Sequence, residues 1–435
     1  MRNYLAAFQW MAFMIAGSIA APIAIADLFQ LSPDQTAGFI QRTIFVLGIA
    51  AIIQGVVGHR LPINEGPAGL WWGVFAIYAG FSGTLYDSSG NILTILQGGM
   101  IFSGLFFFLF ALTGWLTKLT KLFTPTITFV YLLLLILQLS GSFIKGMFGI
   151  TEEQSTIDPL VLLGSLFTFF IALYFSNHKI QWIKRYSIII ALIIGWLTFI
   201  FIGKTVSIQL YDTHIISLPE VFAFGKPNFD IGMIVTSFFI TLLLITNMIA
   251  SIRVMEEVKI QNNEYPKKRY SMAGIASGIN QLLGGFFSAI GSVPISGAAG
   301  FVSATKIYAL FPFILGSVFV LVISLFPSLM SIMATLPAPV GYAVTYVIFI
   351  NMVGIALGEF KKERNQERSM FVSGVSLIAG VGAMFVPSNA FIDAPVVVAS
   401  ILNNGLILGT IVAIVTEQFL LWKNNREITE ENSKV

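Results

Sequence analysis

The sequence has little of what soluble enzymes use for chemistry. Cysteine is absent from the 435 residues, and charged residues make up 10% of the chain, against about 25% in an ordinary soluble domain. The missing cysteine excludes disulfides, a thiolate nucleophile and cysteine metal sites. The three histidines, His59, His178 and His214, lie in separate connecting segments, so no metal site or other cofactor is predicted. Without paired acids on one helix or a nucleotide-phosphate motif, neither an enzyme nor an ATP-driven pump is predicted.

Apolar residues dominate what remains. They make up 56% of the chain, which includes 40 phenylalanines. A membrane-spanning helix needs about 20 mostly apolar residues, and fourteen stretches meet this requirement. The predicted fold class is therefore an all-α polytopic membrane protein with two sets of seven segments. The predicted segments are 5–26, 37–57, 61–80, 92–114, 126–147, 158–176, 186–203, 231–252, 270–291, 293–308, 309–329, 336–357, 369–386 and 397–422.

The distribution of positive charge predicts the orientation. With the amino terminus inside the cell, 20 of the 24 Lys and Arg residues fall in cytoplasmic segments, as the positive-inside rule requires. Both termini are therefore predicted to be cytoplasmic, in a multi-pass protein of the cell membrane. The net charge of +3 then reflects orientation in the lipid bilayer, and nucleic-acid binding is not predicted. Because seven is odd, the second set of segments is predicted to be inverted relative to the first.

Two similar stretches interrupt the third and tenth segments. They read LPINEGPAGLWW (Leu61–Trp72) and VPISGAAGFVSA (Val293–Ala304). Proline lacks an N–H and disfavours helix before it, so 61–65 and 292–296 are predicted to be extended. Each half-helix is expected to begin near Gly66 or Gly297 and to point its positive end into a polar cavity, as in transporter binding sites. Close helix packing through the small residues is the alternative.

The chain resembles the nucleobase-ascorbate transporter family, also called the second nucleobase-cation symporter family and including xanthine and uracil permeases. The resemblance rests on the segment count, the two breaks, the LPAPVGYAV stretch opening the twelfth segment, and Gly300, Thr305 and Lys306 at the last three fixed positions of the family signature. It implies elevator-type uptake of a purine or pyrimidine base with a cation, usually H⁺, by a homodimer. It also implies a core of 1–114 and 231–330, a gate of 115–230 and 331–422, and a charged cytoplasmic tail of 423–435.

Three departures from the family pattern affect the predicted site. Gly297 and Ala298 occupy signature positions that are polar in the family. The pair Thr246 and Asn247 replaces a carboxylate in the eighth segment, and Gln9-Trp10 replaces a Gln-His pair in the first. A base needs flat walls and a few matched donors and acceptors, which Thr246, Asn247 and backbone N–H groups of the two breaks are expected to supply. The predicted substrate-binding residues are Glu65, Gly66, Gly69, Thr246, Asn247, Gly297, Ala298 and Gly300.

Glu65 is the one carboxylate in either break, and carboxylates within membranes are costly and usually functional. We hypothesise that it binds the ligand or carries the proton. The alternatives are an ion pair with Arg42 or Arg60, or exposure to the cytoplasm.

Two further functions remain open at this stage. One is an anion transporter of the same fold, of the sulfate or bicarbonate type, because two facing helix amino ends suit an anion. The other is a membrane receptor that no longer transports.

Overall fold

The computed structural model describes residues 2–82, 86, 88–116, 124–150, 156–180, 183–184, 187–205, 215–387, 390, 398, 402 and 404–432. The first half contains α1 (Arg2–Ser18), α2 (Ala20–Leu28), α3 (Pro33–Val56), β1 (Glu65–Pro67), α4 (Gly69–Ala79), α5 (Ser89–Leu112), α6 (Pro125–Met147), α7 (Pro159–Ser176) and α8 (Ser187–Phe201). The second half contains α9 (Ile231–Ile260), α10 (Tyr270–Phe286), β2 (Ser292–Pro294), α11 (Gly297–Thr305), α12 (Leu310–Ser324), α13 (Pro327–Ala334), α14 (Ala338–Lys362), α15 (Gln366–Met384) and α16 (Gly405–Asn432).

Several helices begin where a polar cap precedes a proline. Ser32, Thr124 and Asp158 cap α3, α6 and α7, and each is followed by a proline at the first helical position. Asp158 also accepts a 2.6 Å bond from the Lys204 ammonium. That bond and the N–H groups of the first turn of α7 hold the pKa of Asp158 below its ordinary value. Because these caps are visible in the sequence, the three helices begin at most a few residues from the predicted boundaries.

Each predicted membrane segment overlaps one of these helices. By length and composition, seven helical stretches in the described part of the chain are long and apolar enough to cross a membrane, or eight if α12 and α13 count as one span. The fourteen-segment count and the inverted repeat remain predictions. The predicted segment 309–329 is not one straight helix, because the chain bends by 85° between α12 and α13, where Pro327 begins the second helix. The predicted charged tail is helical as far as Asn432, and residues 433–435 lie outside the described residues.

Two groups of helices pack closely. In the first, α12 packs against α1 and α3, and α5 packs against α9 and α10. In the second, α14 packs against α6 and α7, and α15 packs against α16. These groups fall within the sequence ranges predicted for the core and the gate, a division that remains a prediction. The two sequence ranges are in contact where the ring of Trp72 on α4 lies 5.1 Å from that of Phe143 on α6, and where the Tyr342 hydroxyl of α14 donates to Asp27 Oδ2 of α2 at 2.9 Å.

Candidate functional site

The two interrupted segments meet in a two-stranded antiparallel sheet. Glu65 lies opposite Pro294, Gly66 opposite Val293, and Pro67 opposite Ser292. One further backbone bond extends the pairing on each side, from Ile295 N to Asn64 O and from Ala68 N to Gly291 O, both at 2.9 Å. Backbone groups that leave a helix within a membrane must find partners in the protein. Here the two breaks supply partners to each other.

The first half-helix begins later than the sequence predicted. It begins at Gly69, so the expected start near Gly66 was wrong by three residues, whereas α11 does begin at Gly297. Gly66 and Pro67 belong to β1, and Pro67 is the structural counterpart of Pro294, because each is the last residue of its strand. The predicted extended run 61–65 contributes only Glu65 to the strand, since the Ile63 N–H donates to Leu61 O in a tight turn.

One face of α11 is open. Gly297 and Gly300 are both exposed, and a methyl group added to Gly300 would meet no atom within 4 Å. The opposite face is packed, because Ala298 is fully buried and the Phe301 ring lies 4.5 Å from the ring of Trp10. The half-helix therefore presents accessible backbone on one side and a fixed aromatic contact on the other.

The other two signature residues end the half-helix. The Thr305 hydroxyl donates to Phe301 O at 2.8 Å, and Lys306 is exposed, with φ of 59° in the left-handed region. A residue in that conformation ends a helix. Thr305 and Lys306 therefore lie at the carboxyl end of α11, away from the paired strands.

The predicted pair on the eighth segment lies on α9, which packs against α11 and β2. Thr246 and Asn247 are both half-buried, and the Thr246 hydroxyl donates to Leu242 O at 3.1 Å within its own helix. One turn later, Ser251 donates to Pro294 O at 2.8 Å and fixes α9 to β2. The structure thus brings the helix that carries Thr246 and Asn247 against the second break.

Some predicted backbone donors are already used. The N–H groups of Ala298 and Ala299 donate to Ile295 O and Ser296 O, and that of Ala68 donates to Gly291 O. Gly69 and Gly297 are the first residues of their helices, where an N–H group lacks an intrahelical partner. These two positions are the donors that the geometry favours.

Glu65 is buried, with 2% of its surface exposed, and its Oε2 accepts a 2.7 Å bond from the Ser292 hydroxyl. Its Oε1 accepts no hydrogen bond of good geometry among the described residues, although the Asn280 amide of α10 lies close enough to interact with the carboxyl group. Arg42 donates to Ser288 O at 3.5 Å, and Arg60 donates to Val56 O at 2.8 Å. Among the described ion pairs none includes Glu65, so neither an arginine pair nor cytoplasmic exposure describes this carboxylate.

Gln281 is a site residue that the sequence analysis missed. It is fully buried on α10; its Oε1 accepts from Trp71 Nε1 and its Nε2 donates to Ser292 O, both at 2.7 Å. It therefore joins α4, after the first break, to β2 in the second. The sequence does contain a sign of its role, because a glutamine within an apolar helix is buried and a buried amide needs hydrogen-bond partners.

Of the two described histidines, the one nearer the breaks is uncharged. His59 is buried in the turn before the third predicted segment, and its Nδ1 accepts from Leu61 N at 3.0 Å. Burial lowers the pKa of His59 to about 3, so the ring stays neutral at physiological pH. His214 lies outside the described residues.

Two glycine substitutions test the geometry of the breaks. A methyl group on Gly291 would lie 2.6 Å from Gln281 Oε1 and would also overlap the Trp71 ring, whereas one on Gly300 meets nothing. We expect Gly291→Ala to destabilise the protein by about 1–3 kcal/mol, as overpacking does, and Gly300→Ala to match the wild type. Thermal unfolding of the purified variants measures both, and equal midpoints for the two would contradict the structure.

Known proteins are similar to this chain over most or nearly all of its length. Residues 1–389 match the family model Xan_ur_permease, described as a permease family. YwdJ of Bacillus subtilis (strain 168), provisionally named a purine permease, is 46% identical over 430 residues, which cover 98% of each chain. The uric acid permease PucJ of the same organism is 23% identical, over 97% of this chain and 93% of that relative. In fold, the chain is similar to the transmembrane domain of the cyanobacterial bicarbonate transporter BicA, with a TM-score of 0.61, 14% identity, and coverage of 96% of this chain and 97% of the other.

Proposed function

Because this chain belongs to the xanthine and uracil permease family, part of the nucleobase-ascorbate transporters, we propose that it carries a purine base across the membrane. The chain is a multi-pass membrane permease and not an enzyme. The relatives matched over nearly their whole lengths are named for purines or uric acid, which supports a purine as the substrate. Location in the cell membrane with both termini cytoplasmic, and a homodimeric state, belong to the same proposal.

The observation that carries this proposal is the open face of α11 beside the paired strands. A flat base needs a surface that it can approach closely, and Gly297 and Gly300 leave the backbone of α11 uncovered. Thr246 and Asn247 lie on the neighbouring helix α9, and an amide side chain offers both a donor and an acceptor to the edge of a base. We assign the base to the space between these two helices.

We propose that transport is coupled to a proton and that Glu65 carries it. A carboxylate in a membrane break with no cationic partner in the described structure is expected to change protonation during the cycle. Movement of the predicted core against the predicted gate, as in an elevator, would then carry base and proton together. Such movement requires the contact between Tyr342 and Asp27 to break.

Anion transport is the second candidate, and the fold of the bicarbonate transporter BicA is its support. At 14% identity that likeness shows the fold alone. The relatives that match this chain over nearly its whole length in sequence are instead named for purines or uric acid. A purine base is therefore favoured over an inorganic anion.

Uptake by proteoliposomes tests the proposal. Radiolabelled urate, xanthine, hypoxanthine, guanine, adenine and uracil are offered with the outside acidic, and again without a pH gradient. We expect accumulation of at least one purine that collapses when a protonophore is added, with no competition from sulfate or bicarbonate. Uptake of an anion alone would overturn the purine assignment, and purine binding without accumulation would show a receptor.

A further inference from the structure

A small cavity lies between α1, α3, α12 and the first break. Its polar lining consists of Glu65 and Ser18, and it leaves room for about one water molecule. Ser18 is the last residue of α1, directly before the interruption that separates α1 from α2. The apolar lining consists of Met14, Ile15, Ile44, Leu47 and Val320. All of these residues belong to the predicted core, and none comes from helices of the predicted gate.

The two carboxylate oxygens of Glu65 have different surroundings. Oε2 accepts a hydrogen bond from Ser292 in β2, whereas Oε1 accepts none of good geometry among the described residues, although the neutral Asn280 amide lies near the carboxyl group. A buried polar atom without a partner is the kind of group that an internal water satisfies. Glu65 also lines this cavity, so a water there would contact this residue.

We propose that this cavity is the protonation site of the carrier, and that Glu65 carries the proton without contacting the base. This inference rests on the proposed function. A hydronium ion in the cavity transfers its proton to Glu65 Oε1: one O–H bond of the hydronium breaks, one O–H bond forms on the carboxyl group, and water remains. The base binds at the open face of α11 and at α9, and Glu65 belongs to neither helix.

No charged side chain on the described helices around Glu65 is paired with its carboxyl group. Among the packed elements, α12 contains no titratable side chain, and α1 carries its titratable residues near its amino end, far from Ser18. On α3, Arg42 points to Ser288 O and lies over the Phe224 ring at 5.0 Å. On α10, Tyr270 lies in the first turn and donates to Glu256 of α9, at 3.1 Å. Protonation of Glu65 is therefore not tied to another ionisable group of these elements.

Two substitutions separate the proton site from the base site. Glu65→Gln removes the titratable group with little change of shape, and Ser18→Leu fills the cavity, with Ser18→Val as a milder replacement. Ser140→Leu adds the same side chain on α6 at a half-buried position outside the cavity and controls for the change of residue. Proteoliposomes are assayed for urate or xanthine accumulation driven by a pH gradient and for exchange of the same purine without a gradient. Binding to the purified protein is measured at two pH values.

We expect Glu65→Gln to lower gradient-driven accumulation at least tenfold, while purine affinity changes less than threefold and loses its pH dependence. Ser18→Leu and Ser18→Val are expected to lower accumulation more than exchange, and Ser140→Leu is expected to behave as the wild type. Loss of purine binding in Glu65→Gln would overturn the inference, because it would make Glu65 a ligand of the base. Undiminished accumulation in both Ser18 variants would exclude the cavity as the entry route. Failure of the wild type to transport any purine would instead defeat the proposed function.

Discussion

Replacing Gln281 with leucine is expected to lower purine uptake at least tenfold and to lower thermal stability by several degrees. Its amide joins the Trp71 indole to the Ser292 carbonyl, both at 2.7 Å, and all three residues are buried. Leucine has similar volume but no polar atoms, so both partners lose their bonds. Each buried group left unsatisfied costs about 1–3 kcal/mol. Because one partner follows the first break and the other lies in the second, the substitution loosens the sheet that positions both half-helices.

Gln54→Leu is the matched control for this substitution. Gln54 is also a buried glutamine, and its Nε2 donates to Ala273 O at 3.2 Å and to Ser277 Oγ at 2.9 Å, away from both strands. Both variants are expected to lower the melting temperature. Only Gln281→Leu is expected to lower purine uptake at least tenfold per folded molecule, measured against the fraction that elutes as a single species. Equal uptake by the two variants would show that Gln281 has a packing role alone.

The interruptions of the two helices were predictable because proline acts locally. A proline removes one N–H and restricts the residue before it, so Pro294 predicts extended chain there in any tertiary context. Apolar segments are also a local property, which is why their helices begin and end near the predicted boundaries. The two glycine-rich stretches lie where helix resumes. Glycine suits these places because it tolerates close approach of other backbone.

The exact start of α4 was not predictable from local chemistry. Pro67 suits the first turn of a helix, and it equally suits the end of a strand that needs no N–H bond at that position. The choice is made by β2, which lies more than 200 residues further along the chain and pairs Gly66 with Val293. A pairing over that separation leaves no trace in the residues around Gly66.

The polar partners of the site were hidden for the same reason. Ser292 and Glu65 are 227 positions apart, and Trp71 and Gln281 are 210 apart. Glu65 was identified because a carboxylate in a membrane segment is unusual by itself. Ser292 and Gln281 are common polar residues whose importance follows from their partners, so the fold is needed to select them.

Replacing Arg368 with methionine is expected to unfold or misassemble the ends of the predicted gate helices that meet at this residue. Its Nη2 lies 3.0 Å from Glu363 Oε1 and 3.7 Å from Glu417 Oε1, and the Glu417 side chain is fully buried. Thr124, the cap of α6, donates to Glu417 Oε2 at 2.5 Å, so the cluster joins α6, α14, α15 and α16. Removing the cation leaves two carboxylates close together with no positive partner. Breaking a fully buried ion pair costs about 3–5 kcal/mol, and because the Arg368 side chain is 20% exposed we expect a smaller loss here.

The expected result can be separated from a general loss of positive charge. Arg364→Met removes an exposed arginine four residues earlier and is expected to unfold at the wild-type temperature. Adding Glu417→Leu to Arg368→Met removes the fully buried carboxylate as well, and apolar replacement of a buried pair is often neutral or stabilising. We therefore expect the double variant to regain most of the lost stability, as measured by thermal unfolding in detergent. If Arg368→Met alone matched Arg364→Met, the cluster would not hold these four helices together, and their stability would have to come from apolar packing.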